Sequence, residues 1–344
     1  MERRRLGGTD LELTVIGLGT WAFGGRWGGA DDEESAAACH AALDAGVNWI
    51  DTADIYGQGR AERIVGRVVR ERRDEVIVAT KGGVAWDLSS GTLQIWREAS
   101  GDYLRMALDR SLQALGLDHV DLYQVHWPVD GVAAEDTMDA LVEMRRAGKI
   151  RAIGVSNYDL AGLEATAAAG PLDSLQVGYH IMRREVEGAE LPWCAEHGVG
   201  VLAYGPIAHG LLTGKMTAQT TFPPTDWRAS SELFTDEAFP ERIQVVRELA
   251  EVAREAGRPG GVAELAVAWV LRRPEVTSAI VGARRPAQVH EVVGLAGRPL
   301  SADEERAVED VLARHPAASR HYGHGEPPQR SAAAGAGGTW APRW

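Results

Sequence analysis

Four residues with complementary chemistry stand at the ends of short apolar runs. Asp51 and Tyr56 lie in Gly46-Val47-Asn48-Trp49-Ile50-Asp51-Thr52-Ala53-Asp54-Ile55-Tyr56-Gly57; Lys81 closes Val76-Ile77-Val78-Ala79-Thr80-Lys81, and His126 follows Leu122-Tyr123-Gln124-Val125. A tyrosine, with a reference pKa of about 10, is a poor acid at neutral pH. An ammonium beside it stabilises the phenolate and brings that value toward the working range, so Lys81 is expected to make Tyr56 a proton donor. Asp51 would keep Lys81 charged and fixed, offsetting part of the cost of burying an ammonium. His126 would hydrogen-bond or orient the reacting oxygen. Protonating a carbonyl oxygen while a hydride reaches its carbon is carbonyl reduction, and the hydride must come from a cofactor because no side chain supplies one.

Those groups act together only if the fold gathers them. Strand-like runs are expected at 15–19, 49–52, 76–80, 120–125, 152–156, 174–177, 200–204 and 279–282. Segments with helical spacing fall between them, at 32–45, 61–71, 101–115, 134–147, 160–168, 190–197, a longer pair over 241–272, and 287–295. Eight such units predict a (β/α)8 barrel, with an open doubly wound sheet as the alternative. In a barrel, the strand C-termini form one rim, where all four residues converge. A hairpin near 4–13 would close the opposite end. Gly17-Leu18-Gly19-Thr20-Trp21-Ala22 satisfies G-x-G-x-x-A, but the Gly24-Gly25 and Gly28-Gly29 pairs that follow cannot propagate the helix a dinucleotide fingerprint requires. The barrel is expected over 1–314. Within it, 205–240 reads as a long, Pro- and Gly-punctuated loop at the catalytic face. Residues 315–344 read as a flexible Gly/Ala/Pro-rich tail, in which His321 and His324 are too few for a stable metal site.

The chain has 344 residues, with 36 Lys+Arg against 49 Asp+Glu, a formal net charge of -13 that would be repelled by a phosphate backbone. No nucleic-acid partner is expected. Cys39 and Cys194 are too few for a disulfide framework or a cysteine metal site and read as buried helix residues. Neither a secretory leader nor an apolar run of membrane-spanning length is seen, so a cytoplasmic protein with no membrane partner is expected. A monomer is slightly favoured.

The motifs together resemble those of the aldo-keto reductase family, over about residues 6–312. The pattern G-x-N-x-x-D-T-A-x-x-Y-G stands at Gly46 to Gly57, followed by the strand-end lysine, His126-Trp127-Pro128 and Ile153-Gly154-Val155-Ser156-Asn157. The resemblance implies a tetrad of Asp51, Tyr56, Lys81 and His126, with Tyr56 the general acid in the reducing direction. It implies that Ser156, Asn157 and Gln176 hold a nicotinamide carboxamide, that Tyr204 stacks on the ring, and that Thr20 and Trp21 also bind the cofactor. The pyrophosphate would fall to Gly205, Pro206, Ile207, Leu211, Gly214 and Lys215, and the adenosine phosphate to Gly282, Arg284, Gln288 and Glu291. Arg284 is the residue chosen for a 2′-phosphate, which favours NADPH, with NADH the alternative.

The implied activity is reduction of an aldehyde, ketone or keto-sugar, a small-molecule substrate held in a pocket of Trp21, Trp86, Trp127 and Trp227. The long loop and the Trp-Gly-Gly near Trp27 are similar to the bacterial and potassium-channel-beta-like branches of the family. One rival reading is an NADPH-binding redox-sensing regulatory subunit with slow turnover. A metal-dependent barrel lyase is the other, but Asp51 and His126 alone are too few ligands for it.

Overall fold

Eight parallel strands close into one barrel in the computed structural model, which describes residues 1–25, 27–29, 31–319 and 327–329. An antiparallel hairpin of β1 (Arg3–Arg5) and β2 (Glu12–Thr14) comes first, with Arg3 opposite Thr14. The barrel follows with β3 (Ile16–Gly19), α1 (Asp32–Asp44), β4 (Trp49–Asp51), α2 (Arg60–Val69) and β5 (Ile77–Gly82). A second hairpin, β6 (Val84–Asp87) and β7 (Gln94–Arg97), interrupts the repeat before α3 (Gly101–Leu115). Then come β8 (Val120–Val125), α4 (Ala134–Arg146), β9 (Ile150–Ser156), α5 (Leu160–Ala169), β10 (Ser174–Gly178), α6 (Glu190–His197) and β11 (Gly200–Tyr204). A short α7 (Glu232–Thr235) precedes α8 (Phe239–Glu255), α9 (Gly261–Leu271), β12 (Val276–Gly282), α10 (Pro286–Gly294) and α11 (Ala302–Arg314). Pairing of Ala279 with Ile16 closes the barrel.

The strands form where β-branched and apolar runs can be buried on both faces, as in β8, all six of whose residues are buried. Helices cover the outside. Inside, Trp49, Ala79, Leu122, Ala152, Leu202 and Ile280 pack against Leu6, Leu11 and Leu13 of the first hairpin, which plugs the bottom. Gly17 has a packing duty here, because a Cβ on it would fall 2.1 Å from the Trp49 ring. The G-x-G-x-x-A stretch leads into a 3-10 turn, Trp21–Gly24, and the first long helix begins only at Asp32, capped by the Asp31 carboxylate.

The β6–β7 hairpin, α7 and α11 stand where no element was expected. The 205–240 stretch contains 3-10 turns at Ala208–Thr213 and Trp227–Ser230 as well as α7. Of residues 315–344, two pieces are described. Pro316–Ser319 forms a 3-10 turn whose Ala318 carbonyl accepts from the buried Arg242 guanidinium. Pro327–Gln329 lies along β7, where the Arg97 backbone N–H donates to the Pro328 carbonyl (2.9 Å) and its Nε to the Pro327 carbonyl (2.7 Å). His321 and His324 lie outside the described residues. No helix among the described residues is long and apolar enough to cross a membrane.

Candidate active site

The ends of β4, β5 and β8 bring four side chains together above the barrel. Lys81 Nζ donates to both carboxylate oxygens of Asp51, each at 2.7 Å, and to the Thr52 carbonyl at 3.0 Å. The Tyr56 hydroxyl oxygen lies 3.5 Å from the same nitrogen, and its ring meets the His126 ring edge-on at 5.8 Å. Asp51 also accepts from Gln176 Nε2 at 2.9 Å, which ties the cluster to β10. The His126 backbone N–H donates to the Gly82 carbonyl at 2.8 Å, and its buried Nδ1 has no partner among the described residues.

The electrostatics run opposite to the sequence expectation for Tyr56. Burial first, then the charges of Asp51 and neighbouring groups, push its phenol well above the ordinary 10. The Lys81 ammonium, which donates to both Asp51 oxygens, does not offset this rise. Burial lowers Lys81 itself, with Asp51 opposing. Burial, and then the Lys81 charge, hold His126 well below the ordinary 6.5. At neutral pH the pair is therefore a protonated phenol beside a neutral imidazole.

Asp51, Tyr56 and His126 line a cavity of about 630 Å³. Polar ends of β9 to β11 form one wall: the Ser156 hydroxyl donates to the Gln176 carbonyl, the Asn157 side-chain amide to the His126 carbonyl, and the Tyr204 hydroxyl to Asn157 Oδ1. Asn157 takes a left-handed φ of +63°, which aims its side chain across the slot. Further along, Gly205, Pro206, Ile207, Lys215, Gly282, Arg284, Gln288 and Glu291 also line the cavity. Trp21, Trp127 and Trp227 stand on its wall as well.

Four residues named from the sequence for cofactor or substrate do not themselves line the cavity. Thr20 is buried and gives its hydroxyl proton to the Asp51 carbonyl; Leu211 is core; Gly214 is the left-handed residue ending a 3-10 turn. Trp86, on β6, turns to the Arg110 guanidinium, 5.4 Å from its ring. Lys81 is fully buried behind Tyr56.

Other groups on the wall had no distinct signal in the sequence. Val84, Leu93 and Ile95 come from the second hairpin, and Pro327 from the C-terminal piece. Trp27 joins Trp21 and Trp227, with ring centroids 4.8 to 5.4 Å apart, and His209 edges onto Trp227 at 4.9 Å. An antiparallel bridge links Trp27 to Asp226, so the loop after β3 and the loop before α7 clasp one another. Arg228 secures that clasp by gripping both Asp226 oxygens while lying 4.9 Å from the Trp27 ring. Cys39 and Cys194 are buried, and burial pushes both thiols up to about 12, so neither serves as a nucleophile.

The profile of the Aldo/keto reductase family matches residues 15–313. The chain is 39% identical over 316 residues to the aldo-keto reductase YhdN of Bacillus subtilis, covering 91% of this chain and 94% of that one. It is 34% identical over 308 residues to the NADH-specific methylglyoxal reductase of Escherichia coli, covering 85% and 93%. Its fold superposes on the glycerol dehydrogenase AKR11B4 of Gluconobacter oxydans with a TM-score of 0.84 at 38% identity, covering 91% and 96%.

Proposed function

Because the chain belongs to the aldo/keto reductase family and is an NAD(P)H-dependent oxidoreductase, we propose that it reduces the carbonyl of an aldehyde, ketone or keto-sugar to an alcohol, with Tyr56 as proton donor. The observation that carries this reading is the Tyr56 hydroxyl itself. It stays protonated at neutral pH and faces the cavity beside His126, backed by the buried Lys81–Asp51 pair.

The donor set fits a nicotinamide dinucleotide. One end of the slot carries amides, a hydroxyl and an aromatic ring in Asn157, Gln176, Ser156 and Tyr204; the other carries cations in Lys215 and Arg284. The first group would hold the nicotinamide, the loop from Gly205 to Lys215 the pyrophosphate, and Gly282, Arg284, Gln288 and Glu291 the adenosine end. When bound, that cofactor supplies a hydride. The protein's own part is to seat the carbonyl oxygen between Tyr56 and His126 and to deliver the phenol proton to it. Lys81 and Asp51 fix the phenol, and neutral His126 orients the oxygen without competing for the proton. The Trp21, Trp127 and Trp227 faces would exclude water from the substrate.

Arg284 supports NADPH. Its Nη1 donates to the carbonyls of Trp27 and Gly29, while Nε and Nη2 make no hydrogen bond among the described residues and suit a phosphate. The NADH specificity named for the E. coli relative is the opposing precedent. Oxidation of NADPH and of NADH against a panel of aldehydes, ketones, quinones and keto-sugars tests the reading. Sustained turnover with at least one carbonyl is expected; one burst equal to the bound cofactor, then none, would overturn it.

A further inference from the structure

Among the described residues the cavity wall carries four cations, and three are already engaged. Lys215 pairs with Glu291 at 3.2 Å, Arg228 grips Asp226, and Arg284 donates to two loop carbonyls. Arg183, in the loop after β10, differs. Its Nη1 lies 3.4 Å from the Tyr204 hydroxyl oxygen, whose own proton goes to Asn157, and its guanidinium carbon lies 5.7 Å from the Tyr204 ring. No carboxylate among the described residues comes within 4.0 Å of it, in a chain with 49 acidic residues and 36 basic ones.

The seat of this guanidinium is built. Arg183 and His180 exchange backbone hydrogen bonds at 2.8 and 3.2 Å, which fixes the turn. Gly178 leaves the space the guanidinium fills, since a Cβ there would fall 1.9 Å from Nη1. A half-buried guanidinium has given up part of its water, and a contact with a neutral phenol does not replace it. An oxyanion would, through charge-assisted and bidentate hydrogen bonds.

We propose that Arg183 forms an anion-accepting subsite of the cavity and that its ligand is a carboxylate or phosphate group, carried by the carbonyl substrate or by the cofactor. The inference rests on the reading that this cavity takes both. It assigns a charge to the bound ligand at the Tyr204 end of the slot, away from Arg284.

Three measurements on the full chain and on Arg183→Met test it. Inorganic phosphate, titrated calorimetrically without cofactor or turnover, should bind the variant roughly 10-fold or more weakly, the size of one charge-assisted contact. Succinic semialdehyde and butanal then distinguish the source. If the substrate carries the anion, the ratio of their kcat/KM values should fall roughly 10- to 100-fold in Arg183→Met and recover in part in Arg183→Lys. If the cofactor carries it, that ratio stays put while the Kd values of NADPH and NADH rise together. Gly178→Ala, which displaces the guanidinium, should reproduce whichever change appears. Unaltered phosphate affinity, an unaltered ratio and unaltered cofactor Kd values would overturn the proposal. Absence of any carbonyl reduction by the wild type would sink the functional reading instead, and the phosphate titration would still decide Arg183.

Discussion

Both carboxylate oxygens of Asp51 stand 2.7 Å from Nζ of Lys81, with side-chain exposures of 5% and 0%. Removing one member of such a pair leaves the other charge buried without compensation, at a cost of about 3–5 kcal/mol. Asp51→Asn should therefore lower stability by that order in urea unfolding and reduce turnover. The double variant Asp51→Asn/Lys81→Met should recover much of the stability and none of the turnover. Equal stability of wild type and Asp51→Asn would show that the ammonium finds another partner.

Tyr56→Phe removes the proposed proton donor and leaves Asn157, Gln176 and Tyr204 in place. Turnover should fall at least roughly 10²-fold, the usual contribution of a general acid. Tryptophan fluorescence titration should still report NADPH binding. Wild-type turnover in this variant would remove Tyr56 from the mechanism.

Neither Tyr56 nor His126 should put a limb into the pH profile of carbonyl reduction between 6.5 and 10.0, the ordinary values of histidine and tyrosine. Tyr56, shifted upward, keeps its proton throughout that window; His126, shifted downward, stays neutral throughout it. A limb in the kcat/KM profile inside the window, abolished by Tyr56→Phe or His126→Gln, would contradict these assignments.

Arg284→Ala should raise the Kd of NADPH roughly 10- to 100-fold, equivalent to about 1.5–3 kcal/mol for a charge-assisted hydrogen bond. The NADH value should move much less. Equal weakening of both would mean that Arg284 acts through its hold on the Trp27 and Gly29 carbonyls and does not read the 2′-phosphate.

Asp54 predicts a gain. It is 4% exposed, neither of its oxygens has a hydrogen-bond partner among the described residues, and Arg110 stands 3.8 Å away. Burial, then the Glu62 charge, raise its pKa well above 3.8. The folded state therefore binds this proton more tightly than the unfolded one, and stability declines as pH rises from 3.8 through the folded value. The cost therefore begins to accrue above 3.8 and weighs on the fold at neutral pH. Asp54→Asn should raise stability there by about 1–3 kcal/mol and flatten the pH dependence. An unchanged midpoint in urea at neutral pH would refute this.

The repeat and the rim were legible because each strand is a buried apolar run between helices of regular period. The expected spans for 120–125 and 200–204 coincide with β8 and β11. The β6–β7 hairpin was not read, since Trp86 and Trp96 blur its alternation around the Ser89-Ser90-Gly91 turn. Helix α11 carries a full capping box from Ser301 and Glu304, a local signal that was there to be used. The clasp between Trp27 and Asp226 joins residues far apart in the chain, and no local pattern announces it. Nor does any pattern announce the left-handed backbone of Ala208 and His209, which only the surrounding structure imposes on non-glycine residues. The sign of the Tyr56 shift depends on burial depth, which follows from packing.

Val84, Ile95 and Pro327 face the cavity from outside the barrel sheet. Among the described residues none hydrogen-bonds to the eight closing strands; the Val84 carbonyl accepts from Tyr103 and the Pro327 carbonyl from Arg97. Asp51 and Lys81, by contrast, stand within β4 and β5 of the barrel sheet itself. The second hairpin and the C-terminal piece thus give the cavity a wall built outside the barrel sheet, in which Val84 and Ile95 pack against Trp127 and serve core and cavity together.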